Sequence, residues 1–106
     1  MEADRAPESA RDPQAAAAIS RRLSRIEGQV RALRARVDAD VYCIELAGDL
    51  AAIRAALDHV GGAIVERHVR TCLAGRDQTT AHPQAQEKTD EELAGELGRI
   101  VTRLLQ

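Results

Sequence analysis

The chain has almost no aromatic residues. Its 106 residues include no tryptophan and no phenylalanine, and Tyr42 is the single tyrosine. Because a buried aromatic side chain adds about 150–250 Å² of apolar surface, a core built only from Leu, Ile, Val and Ala is thin. Short chains also bury a smaller fraction of their surface than long ones do. The composition therefore indicates one small domain and favours an oligomer that completes the apolar interior.

Long apolar runs and the features of a secretory leader are also missing. No segment approaches the roughly 18 apolar residues that a membrane-spanning helix needs. Residues 1–12 carry acids instead of the basic start of a signal peptide. We therefore expect a cytoplasmic protein with no membrane partner. In that reducing compartment Cys43 and Cys72 are better interpreted as metal ligands or redox groups than as a disulfide.

Proline is scarce, and its positions favour helix. It occurs only at positions 7, 13 and 83, which leaves a proline-free run over residues 14–82. Apolar residues recur every three or four positions in three segments, as in amphipathic helices. The pattern predicts helices over about 14–38, 41–74 and 89–105, with a polar linker over 76–88. Residues 1–13 are predicted to be a loosely ordered tail, and residues 14–106 a single all-α domain.

The charges are sorted along the chain, although the net charge is only -2. Residues 19–36 hold six arginines and one acid, whereas residues 77–98 hold six acids and one lysine. A block of arginines on a helix is either a solvated face or a surface for an anionic partner such as DNA.

Three residues have the chemistry of a soft metal site. His68 and Cys72 are four residues apart on the predicted second helix, so their side chains lie on one face. Cys43 precedes His68 by 25 residues, which is about 37 Å along a straight helix. Either the helix folds back at Gly61 and Gly62, or a second antiparallel copy brings its own Cys43 to them. Two thiolates and one imidazole suit three-coordinate Cu(I) better than a four-ligand structural zinc site.

The second alternative also predicts where the symmetry axis lies. If Cys43 faces the midpoint between His68 and Cys72 of the other copy, the two-fold axis passes between Ala56 and Leu57. Because a two-fold interface is isologous, it would create two identical sites, one at each end of the bundle.

Catalysis is not indicated. Cys43 and His68 could form a nucleophile and base, but no glycine-rich loop or set of oxyanion donors accompanies them. Glu91 and Glu92 are better explained as the acidic first turn of a helix than as a catalytic pair. We therefore predict that the protein is not an enzyme.

The segment over residues 21–73 closely resembles the bacterial copper-sensitive operon repressors, the CsoR/RcnR-like metal-sensing transcriptional regulators. The resemblance is most specific in RIEGQVR at 25–31, VYC at 41–43 and HVRTC at 68–72. It implies a three-helix protomer, a dimer built as an antiparallel four-helix bundle, and a dimer of dimers. It further implies a repressor that binds operator DNA without metal and releases it on binding Cu(I).

The resemblance also implies roles for particular residues. In copper-sensing members the metal ligands are shared between two protomers, a tyrosine and a glutamate lie beside them, and arginines of the first two helices contact DNA. The corresponding residues are the ligands Cys43, His68 and Cys72, their neighbours Tyr42 and Glu92, and the DNA contacts Arg21, Arg22 and Arg25.

Two other functions stay open at this point. The protein could be a thiol- or persulfide-responsive repressor of the same family, in which Cys43 and Cys72 of neighbouring chains become linked. His68 argues against this alternative, because persulfide-sensing relatives lack a histidine there. The protein could also be a cytosolic copper-binding helical oligomer that has no operator.

Overall fold

The computed structural model describes residues 12–73 and 81–106, and these residues are helical apart from short connections. Helix α1 spans Pro13–Asp38 and α2 spans Cys43–His68, which continues into a π-helical turn at Val69–Leu73. A short helix, α3, spans Pro83–Gln86, and α4 spans Asp90–Leu105. The predicted all-α class is therefore confirmed. The division into a tail over 1–13 and a domain over 14–106 stays a prediction, since residues 1–11 and 74–80 lie outside the described residues.

Helices α1 and α2 pack side by side as a hairpin. Their shared core consists of Ile19 and Ile26 from α1 and Ile53 and Val60 from α2. Each pair is spaced seven residues apart, so both members lie on the same side of their helix. The hairpin therefore buries only part of the apolar repeat that the sequence predicts for each helix.

A tight connection and a set of ion pairs join the two helices at one end. Asp40 adopts a φ of 57° in this connection, a left-handed conformation that aspartate tolerates better than most residues. Near it, Arg36 Nε lies 2.6 Å from Asp49 Oδ2, and the same guanidinium lies 3.2 Å from Glu45 Oε1. These contacts fix the first turns of α2 against the end of α1.

Each long helix leaves a second apolar face uncovered in the described part of the chain. Six residues on these faces repeat every seven positions and are 41–53% exposed: Leu23, Val30 and Val37 on α1, and Leu50, Leu57 and Ile64 on α2. The radius of gyration is 17.6 Å, whereas a compact domain of 100 residues has about 13 Å. An apolar stripe of this length marks an interaction surface.

The C-terminal part packs against the end of α2. Cys72, Ala85 and Leu93 form a second buried cluster, in which Leu93 is only 1% exposed. Within the polar linker predicted over 76–88, Pro83–Gln86 form the single turn of helix α3, which the sequence did not predict. Proline is favourable in a first helical turn, and Ala85 provides this turn with a buried contact.

Helix α4 begins where the sequence predicts it. The Thr89 hydroxyl accepts a hydrogen bond from the Glu92 amide at 3.1 Å, and the Glu92 carboxylate accepts one from the Thr89 amide at 2.9 Å. This reciprocal pair is a capping box.

The sequence analysis expects no membrane partner. None of the helices within 12–73 and 81–106 has both the length and the apolar character required to cross a membrane.

Candidate metal and nucleic-acid sites

The predicted ligands His68 and Cys72 lie at the last residue of α2 and in the π-helical turn that follows it. In this turn the Thr71 hydroxyl donates to the carbonyl oxygen of Arg67 at 2.8 Å. Thr71 Oγ1 is also 3.5 Å from Cys72 Sγ. Since the hydroxyl proton is already donated, the thiol of Cys72 is the donor in this second contact. Isolated π turns inside helices are frequent at functional sites.

A cavity of about 310 Å³ opens beside the two ligands. Its wall combines His68 and Cys72 with His82, Lys88 and Glu96 from the C-terminal part. Cys72 is 5% exposed, so its thiol is shielded from bulk solvent. The structure therefore brings a thiol, an imidazole and a carboxylate to one cavity. The His82 Nδ1 atom accepts a hydrogen bond from the Gln84 amide at 3.1 Å, which directs this nitrogen toward α3.

The carboxylate in this cavity belongs to Glu96, not to the predicted Glu92. Glu92 is exposed, and its carboxylate is occupied by the capping box with Thr89. Glu96 lies one turn further along α4, where its carboxylate pairs with Lys88. The hydrogen bond from Lys88 lowers the pKa of Glu96, and the charge of His68 adds a smaller lowering. The structure thus favours Glu96 over Glu92 as the neighbour of His68.

Cys43 lies far from this cavity, at the first residue of α2. Both Cys43 and the predicted neighbour Tyr42 are exposed. Helix α2 has 26 residues and runs without interruption through Gly61 and Gly62, which corresponds to about 39 Å. The alternative in which this helix folds back is therefore wrong. Within the described residues of one chain, no group of three or more potential ligands could hold a metal ion.

A charged contact connects the turn over residues 68–73, called the ligand turn from here on, to the start of α1. Arg70 lies between His68 and Cys72 in the sequence, and its Nη2 atom is 2.7 Å from Asp12 Oδ2. Its Nη1 atom is 3.2 Å from Glu66 Oε2. The hydrogen bond from Arg70 lowers the pKa of Asp12, and Asp12 in turn raises the pKa of Arg70. No motif or periodicity predicts this contact, because its partners are 58 residues apart.

The predicted DNA contacts Arg21, Arg22 and Arg25 are exposed on α1. Arg22 and Arg25 line a shallow groove between α1 and α2, and His59 lines its opposite side from α2. The position of His59 in this groove is not predicted from the sequence. Its place in a basic groove depends on how the two helices pack, which spacing along the chain does not reveal.

The described residues form an all-helical protomer with thiol and imidazole side chains at the two ends of its second long helix and a groove lined by two arginines. Residues 15–103 match the family described as metal-sensitive transcriptional repressor. The chain belongs to this family, which confirms the resemblance in residues 21–73. Because the family consists of transcriptional repressors, the prediction that the protein is not an enzyme is also confirmed.

Individual relatives are similar over part of their length. The chain is 39% identical over 56 residues to the copper-sensing transcriptional repressor CsoR of Bacillus subtilis, covering 53% of this chain and 55% of that protein. It is 33% identical over 54 residues to the copper-sensing transcriptional repressor RicR of Mycobacterium tuberculosis, covering 51% and 56%. The chain therefore spans about half the length of these two relatives. An uncharacterized Serratia marcescens protein is 35% identical over 72 residues, covering 68% and 76%.

Proposed function

We propose that this protein is a Cu(I)-responsive transcriptional repressor that binds operator DNA in its metal-free form and releases the DNA when Cu(I) binds. The observation that carries the proposal is the separation of Cys43 from His68 and Cys72 along one uninterrupted helix. An ion held by all three residues must join two copies of the chain. Two relatives are named copper-sensing transcriptional repressors, which supports the same metal and the same role.

The residues that would hold the metal are Cys43 of one copy with His68 and Cys72 of another. Two thiolates and an imidazole are soft ligands, and they match the preference of Cu(I). When bound, Cu(I) supplies a three-coordinate link between two protomers. The donor set fits this role, because Cys72 is buried beside His68 in a cavity while Cys43 is exposed where another copy can reach it. Glu96 would orient the imidazole of His68 by accepting its second N–H.

The dimer proposed here is an antiparallel four-helix bundle. The exposed apolar stripe on α1 and α2 repeats with the seven-residue period of helices that pack nearly parallel to one another. A second antiparallel copy would cover this stripe and bring Cys43 toward the ligand turn. Pairing of two such dimers into a tetramer follows the family resemblance.

The DNA surface proposed here is the basic groove of Arg22, Arg25 and His59, together with the neighbouring Arg21. Arginine side chains bind backbone phosphates and displace condensed cations, so the affinity falls steeply with salt. This groove favours a DNA-binding protein over a copper-binding oligomer without an operator. The imidazole of His68 beside Cys72 in one cavity favours metal binding over a thiol or persulfide switch.

The proposed function is tested by titrating DNA from upstream of the protein's own gene with metal-free and Cu(I)-loaded protein. Fluorescence anisotropy should show a Kd that rises on Cu(I) loading by roughly 5- to 150-fold, the usual range of allosteric coupling. Cys72→Ser should bind the DNA normally without metal and lose the response to Cu(I). Equal DNA affinity of the two wild-type forms would refute the proposal. A response to sulfide or oxidant in place of Cu(I) would favour the thiol-responsive alternative.

A further inference from the structure

Asp12 adopts an unusual backbone conformation at the start of α1. Its φ is 136° and its ψ is 67°, which lies outside the regions that non-glycine residues favour. Residues in such conformations persist only where surrounding contacts hold them. Two side-chain contacts hold Asp12: its Oδ1 atom accepts a hydrogen bond from the Ala15 amide at 3.2 Å, and its Oδ2 atom binds Arg70. Its backbone carbonyl also accepts a hydrogen bond from the Ala16 amide at 3.0 Å. One carboxylate thus caps α1 and binds the ligand turn.

Arg70 is placed so that a change in the ligand turn must move it. Its backbone belongs to the π-helical turn between His68 and Cys72. Side chains four residues apart lie above one another in an α-helix, whereas a π turn is wider. If His68 and Cys72 took up one ion together, the path of the residues between them would change from that of the π turn. Such a change would displace the guanidinium that reaches Asp12.

We propose that the Arg70–Asp12 ion pair couples the metal site to the DNA-binding helix, so that the pair is formed in the metal-free repressor and breaks when His68 and Cys72 hold the metal. This inference rests on the proposed function. Loss of the pair removes one of the two side-chain contacts that help to maintain the strained backbone of Asp12. The first turn of α1 then relaxes. Arg21, Arg22 and Arg25, which begin two to three turns further along the helix, are then no longer held in the positions that contact DNA.

The size of the coupling is set by the exposure of the pair. The Arg70 side chain is 51% exposed and that of Asp12 is 22% exposed. Solvent-exposed ion pairs contribute little individually. We therefore expect the pair to account for a roughly two- to fivefold part of the metal response, and other contacts between the helices to account for the rest.

The decisive variant is Asp12→Asn, because asparagine caps a helix as well as aspartate does but carries no charge for Arg70. If Asp12 affected DNA binding only through the net charge of the protein, removing its negative charge would raise the affinity for DNA. The proposed coupling predicts the opposite sign. Metal-free Asp12→Asn should bind upstream DNA roughly two- to fivefold more weakly than the wild type, and its response to Cu(I) should shrink by the same factor.

Three further measurements complete the test. Arg70→Gln should reproduce the effect of Asp12→Asn, and Arg70→Lys should restore part of it. Arg103→Gln removes an exposed arginine of α4 and controls for the loss of one positive charge. Hydrogen exchange of the amides at residues 16–18 should quicken in the wild type on Cu(I) loading, and it should already be fast in metal-free Asp12→Asn.

The two levels of the proposal fail in distinguishable ways. Asp12→Asn with unchanged or higher DNA affinity and a full metal response would overturn the coupling role while leaving the proposed function intact. A wild-type protein whose DNA affinity ignores Cu(I) would overturn the proposed function and this inference together.

Discussion

Glu96 on α4 and His68 at the end of α2 line the same cavity, although they are 28 residues apart and the segment over 74–80 between them lies outside the described residues. The carboxylate is held in the cavity wall by Lys88. A carboxylate beside a ligating histidine selects the ring tautomer and its orientation. The position of Glu96 therefore leads directly to the first prediction.

Glu96→Gln is expected to weaken Cu(I) binding by about 10- to 100-fold, the usual cost of removing a partner from a ligating histidine. Glu92→Ala is the matched control, because it removes a carboxylate of the same helix that forms the capping box and does not line the cavity. It should lower the free energy of unfolding slightly and leave the Cu(I) affinity unchanged. Competition with a Cu(I)-specific chelator measures both affinities, and the reverse ranking would restore Glu92 as the neighbour of His68.

The basic groove makes a prediction about salt. Arg22→Gln and Arg25→Gln should each reduce the slope of log K against log salt by about 0.9, because each removes one phosphate contact. Arg103→Gln, on α4 and outside the groove, should leave the slope nearly unchanged. His59→Arg should strengthen DNA binding by placing a permanent charge opposite Arg22 and Arg25. Equal slopes for all the variants would mean that DNA binds another surface.

The lowered pKa of Asp12 predicts a change in stability at acidic pH. Arg70 stabilises the charged carboxylate, so this contribution is fully present above the ordinary pKa of 3.8 and is lost as pH falls through the lower value in the folded protein. Below pH 3.8, the Tm of the wild type should therefore fall more steeply than that of Asp12→Asn. Parallel curves for the two proteins would show that Arg70 does not stabilise Asp12 in solution.

The exposed apolar stripe predicts which substitution prevents the dimer from forming. Leu57 lies in this stripe, next to the predicted two-fold axis, and is 45% exposed. Leu57→Glu would bury two like charges close together at that axis, so we expect monomers in sedimentation velocity at micromolar concentration. Ala55→Glu introduces the same charge about half a turn away on α2 and should leave the oligomer intact. A dimer that survives Leu57→Glu would place the interface elsewhere.

The helices could be predicted from the sequence because their apolar residues recur with the helical period, whether or not the described part of the chain buries them. The predicted span 14–38 corresponds to Pro13–Asp38, and 89–105 corresponds to Asp90–Leu105. The second helix differs more. It begins at Cys43 instead of residue 41, since Tyr42 has a non-helical backbone with a ψ of 131°. Its α-helical part ends at His68 and continues into the π turn at Val69–Leu73.

The candidate site was predictable only in part. His68 and Cys72 follow from helical spacing, and the need for a second copy follows from the length of α2. Glu96 could not be chosen over Glu92 from spacing alone. The two residues lie on successive turns of α4, and the sequence of the linker before α4 does not determine which of these turns faces His68. His59 and the Arg70–Asp12 pair depend on the packing of α1 against α2, which periodicity does not fix.

A heterodimer test measures most directly whether the metal site is shared between two chains. Cys43→Ser and Cys72→Ser protomers carrying different affinity tags are mixed, and dimers that contain one of each are purified. If Cys43 of one copy joins His68 and Cys72 of the other, this heterodimer keeps one complete site, and we expect one tightly bound Cu(I) per dimer while each mutant homodimer binds none. A heterodimer that also fails to bind Cu(I) would contradict a site shared between protomers.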